Sequence, residues 1–278
     1  GFVSRGLGDV YKRQSLTPDE GVVLHELSLN DRPILFRAAM SDMVVPYGSA
    51  DPMHSWKAVH DGTEYGFGRL SNSLTLGCDC LGEIHYFNAN GISFDGSVEV
   101  IENAICLHEE DYGIQWKHND GMGAPNEVRR SRRLVISSIS TIGNYDYGLF
   151  WYLYLDGTIE AEVKLTGIVG ISAYNEEKHN PNQDLRISKE LVSPVHQHLF
   201  CMRLDWNLDG GNNQLFESEI ELMPDDDNNP HGMQFQSVST HLKTENEAKR
   251  DISHATSRIW KVVNPVSYTH LRAHETRI

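Results

Sequence analysis

No apolar run in the 278-residue chain approaches the roughly 20 residues needed to cross a bilayer as a helix, and the first thirty residues lack the apolar stretch of a secretory signal. Positive charge is also scarce. The 24 Lys and Arg stand against 39 Asp and Glu, for a net charge of −15, which opposes binding to a phosphate backbone. Neither nucleic acid nor membrane is therefore expected as a partner. Four cysteines are too few for a disulfide scaffold in a chain of this length, yet leave room for one bridge. No Asn-x-Ser/Thr sequon occurs between Ser15 and Pro265, so no glycosylation signal marks the compartment, which the sequence leaves open. Aromatic residues are plentiful: five Trp, eleven Tyr and nine Phe among 39% apolar residues supply a core for one large domain or two ordinary ones, and exclude general disorder.

The two ends differ from the middle. Residues 1–14 carry Arg5, Lys12 and Arg13 against Asp9, and residues 266–278 carry Arg272 and Arg277 against Glu275, so both are net positive beside an acidic interior. Both read as appended, non-native segments of the kind set aside before fold reasoning. On that reading residues 15–265 are an internal piece of a longer natural protein.

Strand signals dominate the interior. Residues 133–142 (RLVISSISTI) are rich in β-branched side chains without Gly or Pro, and residues 148–155 (GLFWYLYL) add aromatics. Asp156-Gly157 follows at once and predicts a two-residue type I′ hairpin, because Gly accepts the positive φ that this turn demands. Beyond it, Ile159, Ala161, Val163 and Leu165 alternate with Thr158, Glu160, Glu162 and Lys164, the pattern of a strand with one wet face. Another long strand is expected over residues 195–208 (VHQHLFCMRLDWNL), closed by the turn-forming run Asp209 to Asn213. Helix is expected only over residues 242–257, where Glu, Lys and Ala gather without Gly or Pro. The predicted class is all-β, a large antiparallel sandwich with long loops over residues 174–184 and 224–232.

Within the long strand, His196-Gln197-His198 places two imidazoles at i and i+2. On a strand these share a face with Cα atoms roughly 6.5 to 7 Å apart, so both can close on one metal ion. Phe200, Met202 and Leu204 continue that face and predict a dry wall beside it. Imidazole suits Zn, Cu, Fe and Ni alike, so the pair alone does not fix the metal, and no other histidine is marked as a third ligand by its spacing.

A second signal lies between the two strand-like runs at Asn144-Tyr145-Asp146-Tyr147. By composition it is a turn with aromatic anchors. Beside an H-x-H strand, it resembles the Asn-Tyr-Asp/Glu-Tyr signature of the copper-containing amine oxidases, in which the first Tyr becomes topaquinone. The resemblance covers nearly all of residues 30–265. Met43 to Gly48 (MVVPYG), Leu76 to Gly82 (LGCDCLG), His108 to Asp111 (HEED) and Tyr152 to Glu160 (YLYLDGTIE) occur in the order of that family's catalytic domain.

The resemblance implies a copper ion held by His196 and His198, a topaquinone derived from Tyr145 next to Asn144, Asp61 as catalytic base, and Tyr47 as hydrogen-bond partner of the quinone oxygen. It implies oxidation of a small primary amine by dioxygen to an aldehyde, ammonia and hydrogen peroxide, in a homodimeric parent protein. The roles agree with chemistry: an electrophilic quinone carbonyl captures the amine, and a carboxylate in a partly apolar pocket, here expected around Trp56 and Val59, removes the acidified α-proton. Asp61-Gly62-Thr63 taken alone is equally a good turn. By the same likeness Cys80 and Cys106 form a disulfide while Cys78 and Cys201 stay free. Asp205, with the Trp206 carbonyl, corresponds to a peripheral calcium or manganese site, or is simply a polar residue on the strand's other face. The family's third copper histidine lies beyond the matching residues, which predicts an incomplete copper site and an inactive chain. A different class stays open: a cupin-like metal-binding or carbohydrate-binding β-sandwich without quinone chemistry.

Overall fold

The computed structural model of the chain describes residues 13–93, 95–121, 123, 126–266 and 276–277. Most of the two end segments set apart above, residues 1–12, 267–275 and 278, therefore lies outside the described residues. The chain divides into two compact units, one of residues 1–25 and 37–204, the other of residues 26–36 and 205–278.

β1 (Arg13–Thr17) and β2 (Gly21–Leu29) form a hairpin, followed by β3 (Arg32–Pro46) and the short β4 (Ala58–His60) that pairs with it. Next comes an antiparallel meander of five strands, β5 (His85–Ile92), β6 (Val98–His118), β7 (Glu127–Ile142), β8 (Tyr145–Tyr154) and β9 (Ile159–Gly167). β10 (Ser172–Ala173), β11 (Asp184–Arg186) and β12 (Leu191–Pro194) make a small sheet in the order β10-β12-β11, and β13 (Leu199–Trp206) lies next to β3. The class is thus all-β with antiparallel sheets, as the sequence predicts. Among the described residues no helix is long and apolar enough to cross a membrane.

β8 is apolar on both faces because both are covered. Its inner face joins Met40, Met43 and Val45 of β3, Phe67, and Ile142 of β7 in one core cluster through Tyr147 and Leu149. On the opposite face Tyr152 and Tyr154 pack with Val135, and their hydroxyls donate to Glu162 (2.5 Å) and Glu160 (2.6 Å) of β9. The wet face expected of β9 is there, with Thr158, Glu160 and Lys164 exposed; the difference lies on its other face. There Leu165, on the supposed core side, is 53% exposed because β9 is the edge of the sheet.

The turn after β8 also differs from expectation. Gly157 has φ of +89° while Asp156 has none in the positive region, and the Tyr154 N–H bonds the Thr158 carbonyl at 3.0 Å. The loop is therefore three residues, Leu155 to Gly157, with Gly in the left-handed position, rather than a two-residue type I′ turn.

In the second unit, β14 (Gln214–Leu222), β15 (Phe235–Leu242), β16 (Ile259–Val263) and β17 (Thr276–Arg277) form a sheet in the order β15-β14-β16-β17. The helix expected over residues 242–257 is absent. Only isolated turns form there, one closed by Ala248 N–H on the Thr244 carbonyl and capped through the Thr244 hydroxyl and the Glu247 carboxylate. The segment's side chains are committed to the sheet instead: Arg250 makes a two-pronged pair with the buried Glu217, and Thr256, together with Arg258 just past the segment, bonds Glu219. Charge-assisted bonds of this kind outweigh the small gain from a short helix whose nucleation is itself costly.

Candidate active site

The β7–β8 turn sets the first half of the site. Ile142 pairs with Tyr145, leaving Gly143 and Asn144 as a two-residue loop in which Gly143 has φ of +61° and Asn144 does not, the pattern of a type II′ hairpin. Strand alternation then sends Tyr145 and Tyr147 to one face and Asp146 to the other. The Asp146 carboxylate accepts the Thr141 hydroxyl at 2.5 Å. Tyr147 is buried, edge-on to Phe67. The phenol oxygen of Tyr145 accepts the Gly170 N–H at 3.1 Å. Gly167, opposite Tyr145, has φ of +100°, and a Cβ there would lie 2.5 Å from the Asn144 carbonyl oxygen and 2.9 Å from the Tyr145 Cα.

The second half is the H-x-H segment, which is not inside a regular strand. Residues 195–208 do not form one strand: β12 ends at Pro194, His196 makes an isolated antiparallel bridge to Tyr47, and β13 starts at Leu199. The bridge is closed by Gly48 N–H on the Val195 carbonyl (2.7 Å) and Gln197 N–H on the Pro46 carbonyl (3.2 Å). Both imidazoles nonetheless turn to one side, with centroids 5.1 Å apart. The ring of Tyr145 lies 5.6 Å from each, tilted 31° to His196 and edge-on to His198. His196 Nδ1 donates to the Pro194 carbonyl at 2.9 Å, which fixes its proton and leaves Nε2 with a free lone pair. His198 Nδ1 lies 3.2 Å from the Tyr147 hydroxyl. Burial, followed by the neighbouring His196, pushes the His198 imidazole below its ordinary pKa, toward the neutral form. The expected dry wall is partial, since Phe200 packs on the core cluster but Met202 is exposed.

Tyr47 and Asp61 complete the group. The Tyr47 ring stacks on His196 with centroids 4.7 Å apart, and its hydroxyl is near enough to Tyr145 and Asp61 for both to act on it electrostatically. Burial, then the neighbouring Tyr145 and Asp61, pushes its phenol up to about 12. Burial likewise pushes Tyr147 well above the ordinary phenol range, with Asp61 the largest charge acting on it. Asp61 is 9% exposed at the head of a single π-helical turn, Asp61–Gly66. Its pKa is raised to about 6 by burial, then by the carboxylates of Glu64 and Asp42. Trp56 is 70% exposed and does not form the apolar pocket expected around it.

Tyr145, Tyr47, His196, His198 and Asp61 thus belong to one neighbourhood. Asn144 is an exposed turn residue whose carbonyl accepts the Ile168 N–H at 2.7 Å. Asp205 falls in the second unit. Among the described residues no group of three or more His, Cys, Asp or Glu side chains is arranged to hold a metal ion. All four cysteines are unbridged, yet Cys80 and Cys106 are buried in one cluster. The sequence reading missed Tyr147 as the partner of His198, although its i+2 spacing from Tyr145 carries that signal, and it missed His54, which stacks on Tyr47.

An all-β domain of antiparallel sheets that gathers phenols, a carboxylate of raised pKa and paired imidazoles is what the fold and site define. The sequence matches the enzyme domain of copper amine oxidases over residues 13–276. It is 47% identical over 260 residues to the histamine oxidase of Arthrobacter globiformis, covering 91% of this chain and 37% of that protein. Against a peroxisomal copper-containing diamine oxidase of Nicotiana tabacum the identity is 41% over 261 residues, covering 91% and 33%. The fold is similar to the crystal structure of a copper-containing benzylamine oxidase from Hansenula polymorpha, with a TM-score of 0.87 at 28% identity over 95% of this chain and 41% of that one. The chain therefore belongs to the copper amine oxidase family, a family of oxidoreductases acting on amines, and the cupin-like and carbohydrate-binding alternatives fall away. It spans about two fifths or less of the length of these relatives.

Proposed function

We propose that this chain carries the reaction centre of a primary-amine oxidase that converts a small primary amine, dioxygen and water to an aldehyde, ammonia and hydrogen peroxide. The observation that carries the reading is the Tyr145 ring set against both His196 and His198. Two imidazoles on one side, one with its Nδ1 proton committed to a carbonyl and the other pushed by burial toward the neutral form, are a donor set that fits copper. His196 and His198 would hold the ion, with Tyr145 as the precursor of a quinone. When bound, copper would supply one-electron chemistry with dioxygen, and the quinone would supply an electrophilic carbonyl.

The chain's own groups do the rest. Asp61 takes the proton from the α-carbon of the amine; a carboxylate with a pKa of about 6 is ionised at neutral pH yet basic enough for the transfer. The Tyr47 hydroxyl, kept protonated by its raised pKa, donates a hydrogen bond to the oxygen on the Tyr145 ring. Gly170 N–H holds that ring at its edge. Met43, Phe67 and Leu149, all buried beside Tyr147, exclude water from one side. Asn144 fixes the turn that presents Tyr145. An Asp205 site for calcium or manganese, completed by the Trp206 carbonyl, rests on oxygen donors suited to such ions. A homodimer is proposed for the parent protein on the family's large, obligate kind of interface.

Copper needs a donor beyond His196 and His198, so the chain expressed alone should remain inactive. The test is expression with added copper, followed by a quinone redox-cycling stain. No staining is expected of this chain, and strong staining would contradict its inactivity. A longer protein carrying the same domain should stain, and Tyr145→Phe in it should not; staining that survives this substitution would refute the assignment of Tyr145.

A further inference from the structure

His54 is unusual for a buried histidine in having a partner at each ring nitrogen and an aromatic ring on its face. It is 6% exposed. Its Nε2 lies 2.8 Å from the Ser172 hydroxyl of β10, and its Nδ1 lies 3.2 Å from the Lys57 ammonium. An ammonium has donors only, so Nδ1 must accept, and the ring proton sits on Nε2, donated to Ser172. The imidazole is therefore neutral with one defined tautomer.

That ring lies nearly parallel to Tyr47, with centroids 5.4 Å apart and planes 7° apart, as the His196 ring does at 4.7 Å and 10°. The Tyr47 phenol thus stacks with two imidazoles, and Lys57 Nζ lies 5.0 Å from its centroid. The loop that delivers His54 is tied back to the same residue: His54 N–H and Ser55 N–H bond the Asp51 carbonyl, Lys57 N–H bonds the His54 carbonyl, and Tyr47 N–H bonds the Lys57 carbonyl. A leucine would fill the space without the cost of desolvating an imidazole. What the histidine adds is a ring whose rotation is locked at both edges, and hence a fixed plane for the ring stacked on it.

We propose that His54 is a positioning residue for Tyr47: clamped between Ser172 and Lys57, it fixes the phenol plane and aims the Tyr47 hydroxyl at Tyr145. This rests on the reading of Tyr47 as the residue that serves the Tyr145 oxygen.

The test is NMR of the copper-free chain with tyrosines labelled at the ε-carbons, Tyr47 being assigned by Tyr47→Phe. A clamped ring flips slowly, so two separate ε-carbon lines are expected for Tyr47. His54→Ala should collapse them to one averaged line, and His54→Phe, which restores a stacking ring, should return two. A single averaged line in the unaltered chain, or two unchanged lines in His54→Ala, would overturn the proposal. Should His54→Ala fail to fold by circular dichroism, Lys57→Met and Ser172→Ala each remove one edge of the clamp. Line merging in either supports the proposal, and unchanged lines in both overturn it. The measurement needs no metal and no quinone, so a failed clamp and a failed assignment of Tyr145 give separate results.

Discussion

Replacing Asp61 with Asn should stabilise the folded chain while removing its base. Burial holds the Asp61 carboxyl at a pKa of about 6 against an ordinary value of 3.8, so the folded state binds this proton more tightly than the unfolded state does. The contribution of Asp61 therefore favours folding below pH 3.8, is lost as the pH rises toward 6, and above 6 leaves a fixed penalty for a buried charge. At 1.36 kcal/mol per pKa unit that penalty is about 3 kcal/mol at pH 7.5 and about 1 kcal/mol at pH 4.5. Asn never ionises. The stability difference between Asp61→Asn and the unaltered chain should grow by about 2 kcal/mol between those two pH values, whatever constant offset the amide adds. Urea unfolding followed by tryptophan fluorescence at four pH values measures it, and the subtraction cancels the titrating groups that do not interact with Asp61. A difference that is flat with pH, or that shrinks as pH rises, would refute the burial argument. In an active protein carrying this domain, the same substitution should lower kcat by about 100-fold or more through loss of the base.

Gly167→Ala should destabilise the chain by about 2 kcal/mol, because its left-handed φ and the 2.5 Å approach to the Asn144 carbonyl leave no room for a methyl group. A shift of the unfolding midpoint and altered Tyr145 resonances would register it. Tyr147→Phe removes the hydroxyl beside His198 Nδ1 and should weaken copper binding about tenfold with the fold intact, as read by competition with a chromophoric chelator. An affinity equal to the parent's would show that the hydroxyl does not orient His198. Cys80 and Cys106, buried in one cluster, should close to a disulfide under oxidising conditions. Thiol titration of denatured, unreduced protein should then find two reactive groups, Cys78 and Cys201, and four would exclude the bridge.

How much of this was legible beforehand follows from the range over which each signal acts. Residues 133–142 and 148–155 declare strands because β-branched and aromatic side chains suit a pleated surface wherever it lies, whereas the turn expected over Asn144 to Tyr147 falls earlier, on Gly143-Asn144, with Tyr145 already in β8. The spacing of His196 and His198 puts both rings on one side even though the backbone there departs from a regular strand. Long-range competition defeated other readings. Residues 242–257 have helix-forming composition, but Glu217 and Glu219, far away in sequence, claim Arg250 and Thr256. Leu165 looks like a core position until the sheet order leaves β9 at an edge.

The amino-acid sequence by itself determined the class of fold and the kinds of group available for chemistry, since propensity, alternation and residue type are properties of short segments. Tertiary structure alone decided which groups meet. Tyr47, Asp61, Tyr145 and His196 come from four separate segments, and only the packing of β3 and its neighbours against β8 stacks one ring on another and desolvates the carboxylate enough to make it a base.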